Sequence, residues 1–93
     1  MFFVYILTNR KHGTPYTGVT GGLLNRLNLH RDGAGSEFVR KYHLNRLVCA
    51  LPFSTAAEAI AHEKRLKRWR RAWKIQLIER DNPEWRDLLD DES

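Results

Sequence analysis

The stretch that most restricts the fold of this chain is residues 4–20, VYILTNRKHGTPYTGVT. Phe2–Thr8 is apolar at both odd and even positions, a pattern that predicts a strand buried on both faces. Tyr16–Thr20 is rich in β-branched residues, and the polar residues between the two runs indicate a turn. The N-terminal third of the chain therefore predicts an antiparallel β-hairpin.

The register of this hairpin decides whether its two tyrosines meet. With the turn centred on Arg10 and Lys11, Tyr5 is expected directly opposite Tyr16, where cross-strand side chains are in contact. A tyrosine in an apolar strand is usually a core residue with a satisfied hydroxyl group. Two neighbouring phenols beside an arginine would differ, because a nearby cation favours the phenolate, which can activate water. Gly18 would let the backbone or a ligand approach closely.

The rest of the chain predicts helices and one more strand. A helix is expected over residues 23–31, and the apolar run at residues 44–53 predicts a third strand. The T-x-x-E pattern that begins at Thr55 is typical of a capping box and opens a long helical segment. Asn82 is expected to cap a last short helix, with Pro83 at its first position. Residues 1–93 thus predict one α/β domain.

The distribution of charge favours a polyanionic partner. Residues 1–78 contain 14 Lys or Arg and 4 Asp or Glu, whereas residues 79–93 contain 2 and 7, respectively. A domain this basic, with a short acidic end, favours nucleic acid as the partner, although charge alone also serves solubility. The single Cys49 excludes an internal disulfide and is expected in the core. No apolar run is long enough to span a membrane, and no leader pattern is present, so a cytoplasmic protein is expected.

One acidic side chain is expected on an otherwise apolar helix face. At 100° per residue, Glu63 lies among residues that should face the core, namely Ala56, Ala59, Ile60 and Leu66. A carboxylate in such surroundings needs a partner. The partner is either a divalent cation, for which carboxylate oxygens are natural ligands, or a basic side chain such as Lys67.

Two further features suit a phosphate. Arg26 and His30 lie one helical turn apart and can point the same way. The forked donors of arginine match phosphate oxygens, and histidine can relay protons or bind phosphate. Taken alone, Arg26 and His30 are explained equally well as part of a solvent-exposed helix face.

The segment EKRLKRWRRAWK, residues 63–74, contains seven basic residues and two tryptophans. Such a segment can follow a phosphate backbone, although part of it is also expected to be the solvated side of an amphipathic helix. Trp69 and Trp73 are four residues apart and are expected to pack into the core rather than stack on bases. The basic residues assigned to substrate binding are Lys64, Lys67, Arg68, Arg70 and Arg71.

The order of these features resembles the GIY-YIG nuclease superfamily, and in particular its small stand-alone bacterial members. The resemblance covers nearly the whole chain. It implies a small three-stranded antiparallel sheet flanked by helices, an α+β arrangement, and cleavage of phosphodiester bonds with one divalent metal ion, Mg²⁺ or Mn²⁺. The positions that match the family motifs are Tyr5, Tyr16, Gly18, Arg26, His30 and Glu63.

The resemblance also implies catalytic roles. Tyr5 and Tyr16 match the two motif tyrosines, with Tyr5 expected to activate the attacking water, assisted by Tyr16 or His30. Arg26 matches the phosphate-binding arginine and is expected to stabilise developing charge.

Two other matched positions would complete the site. Glu63 matches the metal-binding glutamate, and Gly18 matches the closing glycine of the second motif, beside the substrate. The first motif has Val4 where the family name has glycine, and the second reads Tyr-Thr-Gly. Asn82 is a candidate for a late asparagine of several relatives, or it is a helix cap.

The expected function is that of a metal-dependent endonuclease acting on DNA, with selectivity for a DNA structure. Two alternatives stay open. One is a nucleic-acid-binding module without catalysis. The other is a protein-interaction module whose acidic end, residues 79–93, docks on a basic partner.

Overall fold

The computed structural model describes residues 1–31, 37–44 and 46–89, with only the backbone of His30 and Arg31. The described residues form strands and helices in the order β1 (Phe2–Thr8), β2 (Tyr16–Thr20), α1 (Leu23–Arg31), α2 (Glu37–Tyr42), β3 (Arg46–Phe53), α3 (Ala56–Arg68) and α4 (Arg71–Asp81). None of the helices in the described ranges is long and apolar enough to cross a membrane.

The three strands form one antiparallel sheet in the order β2-β1-β3. The central position of β1 explains its uniform apolar pattern, because a central strand with helices on both sides has no solvated face. The α+β fold with a three-stranded sheet flanked by helices is therefore confirmed.

The register expected for the hairpin is wrong by two residues. Tyr5 pairs with Gly18, and Tyr16 pairs with Leu7. The turn is centred one residue later than expected, since the amide of Gly13 donates to the carbonyl of Arg10 at 2.9 Å, which leaves Lys11 and His12 as the central pair. This places the two tyrosines diagonally on the same face of the sheet rather than directly opposite each other.

Each face of the sheet is covered by a different pair of helices. Tyr5 and Leu7 of β1 point to one face and pack with residues of α1 and α2, such as Leu27 and Val39. The alternate residues of β1 point to the other face, where Ile6 packs with α4 and Val4 packs with α3. Cys49 is buried in this second layer, as expected.

The chain after α4 differs from the expectation. Asn82 is the C-cap of α4 rather than the N-cap of another helix, and residues 83–89 contain no helix. The side chain of Asn82 is buried. Its Nδ2 donates to the carbonyls of Val48, at 3.2 Å, and Arg86, at 2.8 Å, and its Oδ1 accepts from the amide of Arg86. Pro83 fits this position because proline is common just after a helix end. Asn82 therefore holds the C-terminal segment against β3.

The β1–β2 turn is attached to α4 and the segment behind it. The guanidinium of Arg71 donates to the carbonyls of His12 and Gly13. Glu79 accepts hydrogen bonds from the indole of Trp85, at 2.7 Å, and from the ring of His12, at 2.8 Å. These two hydrogen bonds lower the pKa of Glu79 below its usual value, because both stabilise the carboxylate.

Candidate active site

The outer end of the Tyr5 side chain lies against Gly18 on the neighbouring strand. A Cβ atom at position 18 would lie 2.5 Å from both Cζ and Oη of Tyr5, which is too close for any side chain. The glycine is thus required by the phenol on the neighbouring strand. Because β2 is an edge strand, this contact places the Tyr5 hydroxyl at the β2 edge of the sheet.

The second tyrosine lies beside the first on the same face. The ring centroids of Tyr5 and Tyr16 are 6.5 Å apart, with the ring planes tilted by 41°. Tyr5 is buried, whereas Tyr16 is only half-buried and contacts the exposed ring of Phe38 on its other side. The two phenols therefore form a row in which Tyr5 is at the core end and Tyr16 is at the surface end.

Helix α1 carries Arg26 to this edge. The hydroxyl of Thr20, at the end of β2, accepts from the amide of Gly22, and the amide of Arg26 donates to the carbonyl of Gly22. The start of α1 is thereby tied to the end of β2. Leu27 is buried in the core, whereas its neighbour Arg26 is exposed, so the guanidinium is available to a ligand.

Helix α3 carries Glu63. The N-cap half of the predicted capping box is present, since the hydroxyl of Thr55 accepts from the amide of Glu58 at 3.2 Å. The Glu58 carboxylate accepts from the Thr55 hydroxyl, at 2.9 Å. Ala59 is fully buried, but Ile60 is 42% exposed, so its expected place in the core is wrong. The buried stripe of α3 is narrower than the apolar pattern suggested, because its contact with the sheet is centred on the Ala59 side.

Glu63 itself is largely covered, with 15% of its side chain exposed. It lies one turn from the buried residues Ala59 and Leu66. Its carboxylate forms an ion pair with Lys67 at 3.5 Å, which is the structural partner that the sequence allowed. Since Lys67 is mostly exposed, this pair is weak and leaves the carboxylate able to exchange its partner.

The pKa of Tyr5 depends on its burial and on the charged groups around it. Burial is the main cause that raises the pKa of its hydroxyl to about 12; the charges of Tyr16 and Glu63 act in the same direction, and the guanidinium of Arg26 opposes them. Side chains from β1, β2, α1 and α3 are therefore close enough to interact electrostatically. Tyr5 is a protonated phenol at neutral pH, so in the protein alone burial outweighs the cation that was expected to favour phenolate.

A divalent ion would find one acidic ligand here. The described residues contain no group of three or more His, Cys, Asp or Glu side chains that could hold a metal. Mg²⁺ nevertheless fits a lone carboxylate, because it commonly keeps several waters and takes its other ligands from substrate phosphates. Glu63 is thus suited to an ion that binds together with a phosphodiester.

The remaining assigned residues are His30 on α1 and five basic residues near the junction of α3 and α4. His30 follows Arg26 by one turn of α1, but its side chain lies outside the described residues, so its role stays a prediction. The five basic residues assigned to substrate binding are all exposed near the junction of α3 and α4, namely Lys64, Lys67, Arg68, Arg70 and Arg71. Of these, Arg71 also holds the β1–β2 turn, a structural role that its sequence context does not indicate.

The expectation that both tryptophans pack into the core is wrong for one of them. Trp69 packs against the cluster around Val4, but Trp73 is 52% exposed. The helix breaks between them, since Trp69 caps α3 and α4 begins at Arg71, so the i,i+4 spacing no longer puts both rings on one helix face. The two rings meet edge to face at 6.0 Å and line a groove of about 420 Å³.

The ionisation of Tyr5 predicts how stability depends on pH. The folded protein holds this proton up to about pH 12, whereas an unfolded tyrosine loses it near 10. The stabilisation is complete below about pH 10 and is lost as the pH rises toward 12. Tyr5→Phe should therefore gain stability relative to the parent between pH 9 and pH 11, as measured by urea unfolding.

Cys49, the other described group whose pKa is strongly raised, does not disturb this comparison. Burial also raises the pKa of Cys49, to about 11, but that thiol is present in both proteins and cancels in the difference. A difference in unfolding free energy that is the same at pH 9 and pH 11 would show that the Tyr5 hydroxyl ionises normally.

Comparison with known proteins shows the family of this chain. The family model of the GIY-YIG catalytic domain matches residues 1–76. A UPF0213 protein of Oceanobacillus iheyensis is 35% identical over 77 residues, which are 83% of this chain and 88% of that protein. A UPF0213 protein of Clostridium perfringens is 36% identical over 78 residues, covering 84% and 83% of the two chains.

A third relative shows the same extent of similarity. A UPF0213 protein of Staphylococcus saprophyticus is 30% identical over 76 residues, which are 82% of this chain and 92% of that protein. No solved structure matches the chain. The motif tyrosines, Arg26 and Glu63 all lie within the matched region. The chain therefore belongs to the GIY-YIG nuclease superfamily, among relatives that are small bacterial proteins.

Proposed function

We propose that this protein is a divalent-metal-dependent endonuclease that hydrolyses phosphodiester bonds in DNA and selects a DNA structure rather than a sequence. The observation that carries the proposal is the pair of phenols at the β2 edge of the sheet, where the Tyr5 and Tyr16 rings lie 6.5 Å apart and the Tyr5 hydroxyl lies against Gly18. The pKa of Tyr5 also responds to the charges of Arg26 and Glu63, which supports their place at the same site. These residues come from four different elements, and a purely structural core gains nothing from bringing two charges and two phenols to one edge of a sheet.

Each side chain has a distinct task in this proposal. The exposed guanidinium of Arg26 binds the phosphate and stabilises the charge that develops on its oxygens. Glu63 would hold the metal ion, which would supply Lewis acidity at the phosphate. Tyr5, a phenol in the metal-free protein, orients the attacking water, and Tyr16 lies next to it at the mouth of the site.

The electrostatics of Tyr5 bear on its expected role as the general base. The negative charge of Glu63 is one of the causes that raise its pKa, so neutralisation of that charge lowers it again. Neutralisation of the carboxylate therefore makes Tyr5 a better acceptor for the proton of water, while burial, the largest cause, still keeps its pKa raised. Tyr16 and His30 are the other candidates for this proton.

The experiment that tests the function is a substrate panel. Purified protein is incubated with duplex, single-stranded, flapped and branched DNA, and with RNA of the same sequences, in Mg²⁺, in Mn²⁺ and in EDTA. We expect metal-dependent cleavage of at least one branched or flapped DNA. Binding to these substrates without cleavage in either metal would favour a non-catalytic nucleic-acid-binding module, in which the Glu63–Lys67 pair is the resting state of the site.

Nucleic acid binding should depend steeply on salt. Lys64 and Arg68 are exposed on α3 and have no acidic partner among the ion pairs of the described residues. Neutralising both to alanine should flatten the slope of log K against log[salt] by about one unit for each lost phosphate contact. Binding is measured by fluorescence anisotropy in EDTA at several salt concentrations.

The control for this titration is Lys11→Ala, since Lys11 lies in the β1–β2 turn and already faces Glu84 at 3.8 Å. Its slope should equal that of the parent. An unchanged slope in the double variant would mean that the basic segment is only a solvated helix face. Absence of any salt-dependent DNA binding would favour the protein-interaction alternative.

A further inference from the structure

A row of aromatic rings continues outward from the candidate active site onto α2. Phe38 stacks on Tyr16 with 6.2 Å between ring centroids and an interplanar angle of 29°, and Tyr42 lies against Phe38 at 4.8 Å. We call Tyr16, Phe38 and Tyr42 the aromatic shelf. Phe38 is 42% exposed and Tyr42 is 39% exposed, so two of the three rings are partly open to solvent.

The shelf is anchored to the core although two of its rings are exposed. Val39, between the two helical rings in sequence, is buried in the core beside Tyr5 and Leu27. The amide of Leu44 donates to the carbonyl of Val39 at 2.9 Å and closes the helix end, and Leu44 is itself fully buried. A surface that is fixed before a ligand arrives loses little entropy when the ligand binds.

One basic side chain borders the shelf, and a second lies elsewhere on the same helix. Arg40 and Lys41 are exposed on the same helix, and the ammonium of Lys41 lies 5.4 Å from the centre of the Tyr42 ring. Isolated exposed apolar side chains are normal on protein surfaces. Aromatic faces combined with cations are instead the usual means of binding a single nucleic acid strand, in which the rings stack on bases and the cations contact phosphates.

We propose that the aromatic shelf stacks an unpaired nucleobase next to the phosphodiester held by Arg26 and Glu63. This inference rests on the proposed function and extends it to the substrate class, which is nucleic acid with an unpaired nucleotide adjacent to the cleaved bond. Tyr16 belongs to both surfaces, so a base on Phe38 places its neighbouring phosphate at the edge of the site. A fully paired duplex keeps its bases stacked within the helix and does not offer this contact.

The test measures stacking without cleavage. An oligonucleotide that carries 2-aminopurine at a single-stranded position beside a duplex junction is titrated with protein in EDTA. We expect the fluorescence of the probe to be quenched on binding, and we expect no quenching when the same base is paired. Phe38→Ala and Phe38→Leu should each lose the quenching and bind the junction between about 5-fold and 100-fold more weakly.

Two further variants make the test specific. Phe38→Trp keeps an aromatic face and should retain the quenching and the affinity, which loss of general packing would not explain. Trp73→Leu removes a comparably exposed ring from α4, on the other side of the sheet, and should leave the quenching unchanged. Circular dichroism confirms that each variant is folded before binding is measured.

The outcomes separate this inference from the proposed function. Quenching that persists in a folded Phe38→Leu variant would overturn the shelf, whether or not the parent cleaves DNA. Quenching that depends on Phe38 in a protein that cleaves nothing with Mg²⁺ or Mn²⁺ would support the shelf and overturn the nuclease.

Discussion

Glu63→Gln is expected to reduce metal-dependent cleavage by at least about 100-fold while the protein stays folded. The substitution keeps the shape of the side chain and removes the negative charge that would hold the ion. Only 15% of this side chain is exposed, and its ion pair with Lys67 is weak, so the metal-free variant should be as stable as the parent or slightly more stable. Cleavage, Mn²⁺ binding and thermal unfolding are measured on the same preparation.

A second variant separates the metal role of Glu63 from the ion pair. Lys67→Met removes the partner and leaves the carboxylate in place, so Mn²⁺ affinity should be retained or should rise. DNA binding by Glu63→Gln in EDTA should persist or increase, because a negative charge near the phosphate has been removed. Retained cleavage together with lost stability in Glu63→Gln would assign the residue to the ion pair and remove the metal site from the mechanism.

Trp85→Ala is expected to destabilise the protein by about 3–5 kcal/mol, the range for loss of a large aromatic residue from a core. Trp85 is only 1% exposed and packs with Ile6, Val48 and Ile78, while its indole donates to Glu79. For a domain of this size such a loss lowers the melting temperature by roughly 12 °C or more. Urea unfolding and calorimetry measure the two quantities.

Two further tryptophan variants provide stability losses with which the loss in Trp85→Ala can be compared. Trp73→Ala removes a ring that is 52% exposed, so it should cost far less than Trp85→Ala. Trp85→Phe keeps most of the packing but loses the hydrogen bond to Glu79, and its effect should fall between the two. An equal cost for Trp73→Ala and Trp85→Ala would show that the C-terminal segment is not part of the core.

The sequence by itself determined the elements whose physics is local. The apolar run of β1, the β-branched run of β2 and the capping box at Thr55 were all predicted, because period, propensity and capping act over a few neighbouring residues. The family motifs also predicted which side chains to examine, and the charges of Tyr16, Arg26 and Glu63 all affect the pKa of Tyr5.

The tertiary structure decided the properties that depend on residues distant in the chain. The hairpin register follows from a turn one residue later than expected, and the end of α4 from the hydrogen bonds that Asn82 makes to β3 and to the following segment. The exposure of Ile60 and Trp73 follows from the narrow contact of α3 and from the break before α4. Helical periodicity states which residues share a face, but only packing decides how much of that face is covered.

The protonation state of Tyr5 is another property that the tertiary structure decided. Its sequence neighbours contain no hint of a pKa near 12, which arises because the core buries the ring and because Glu63 comes from a helix almost sixty residues later. Likewise, Phe38 continues the row of rings from Tyr16 only because α2 is anchored through Val39. Desolvation and Coulomb interactions depend on distance in space, and the local pattern of a sequence carries no record of that distance.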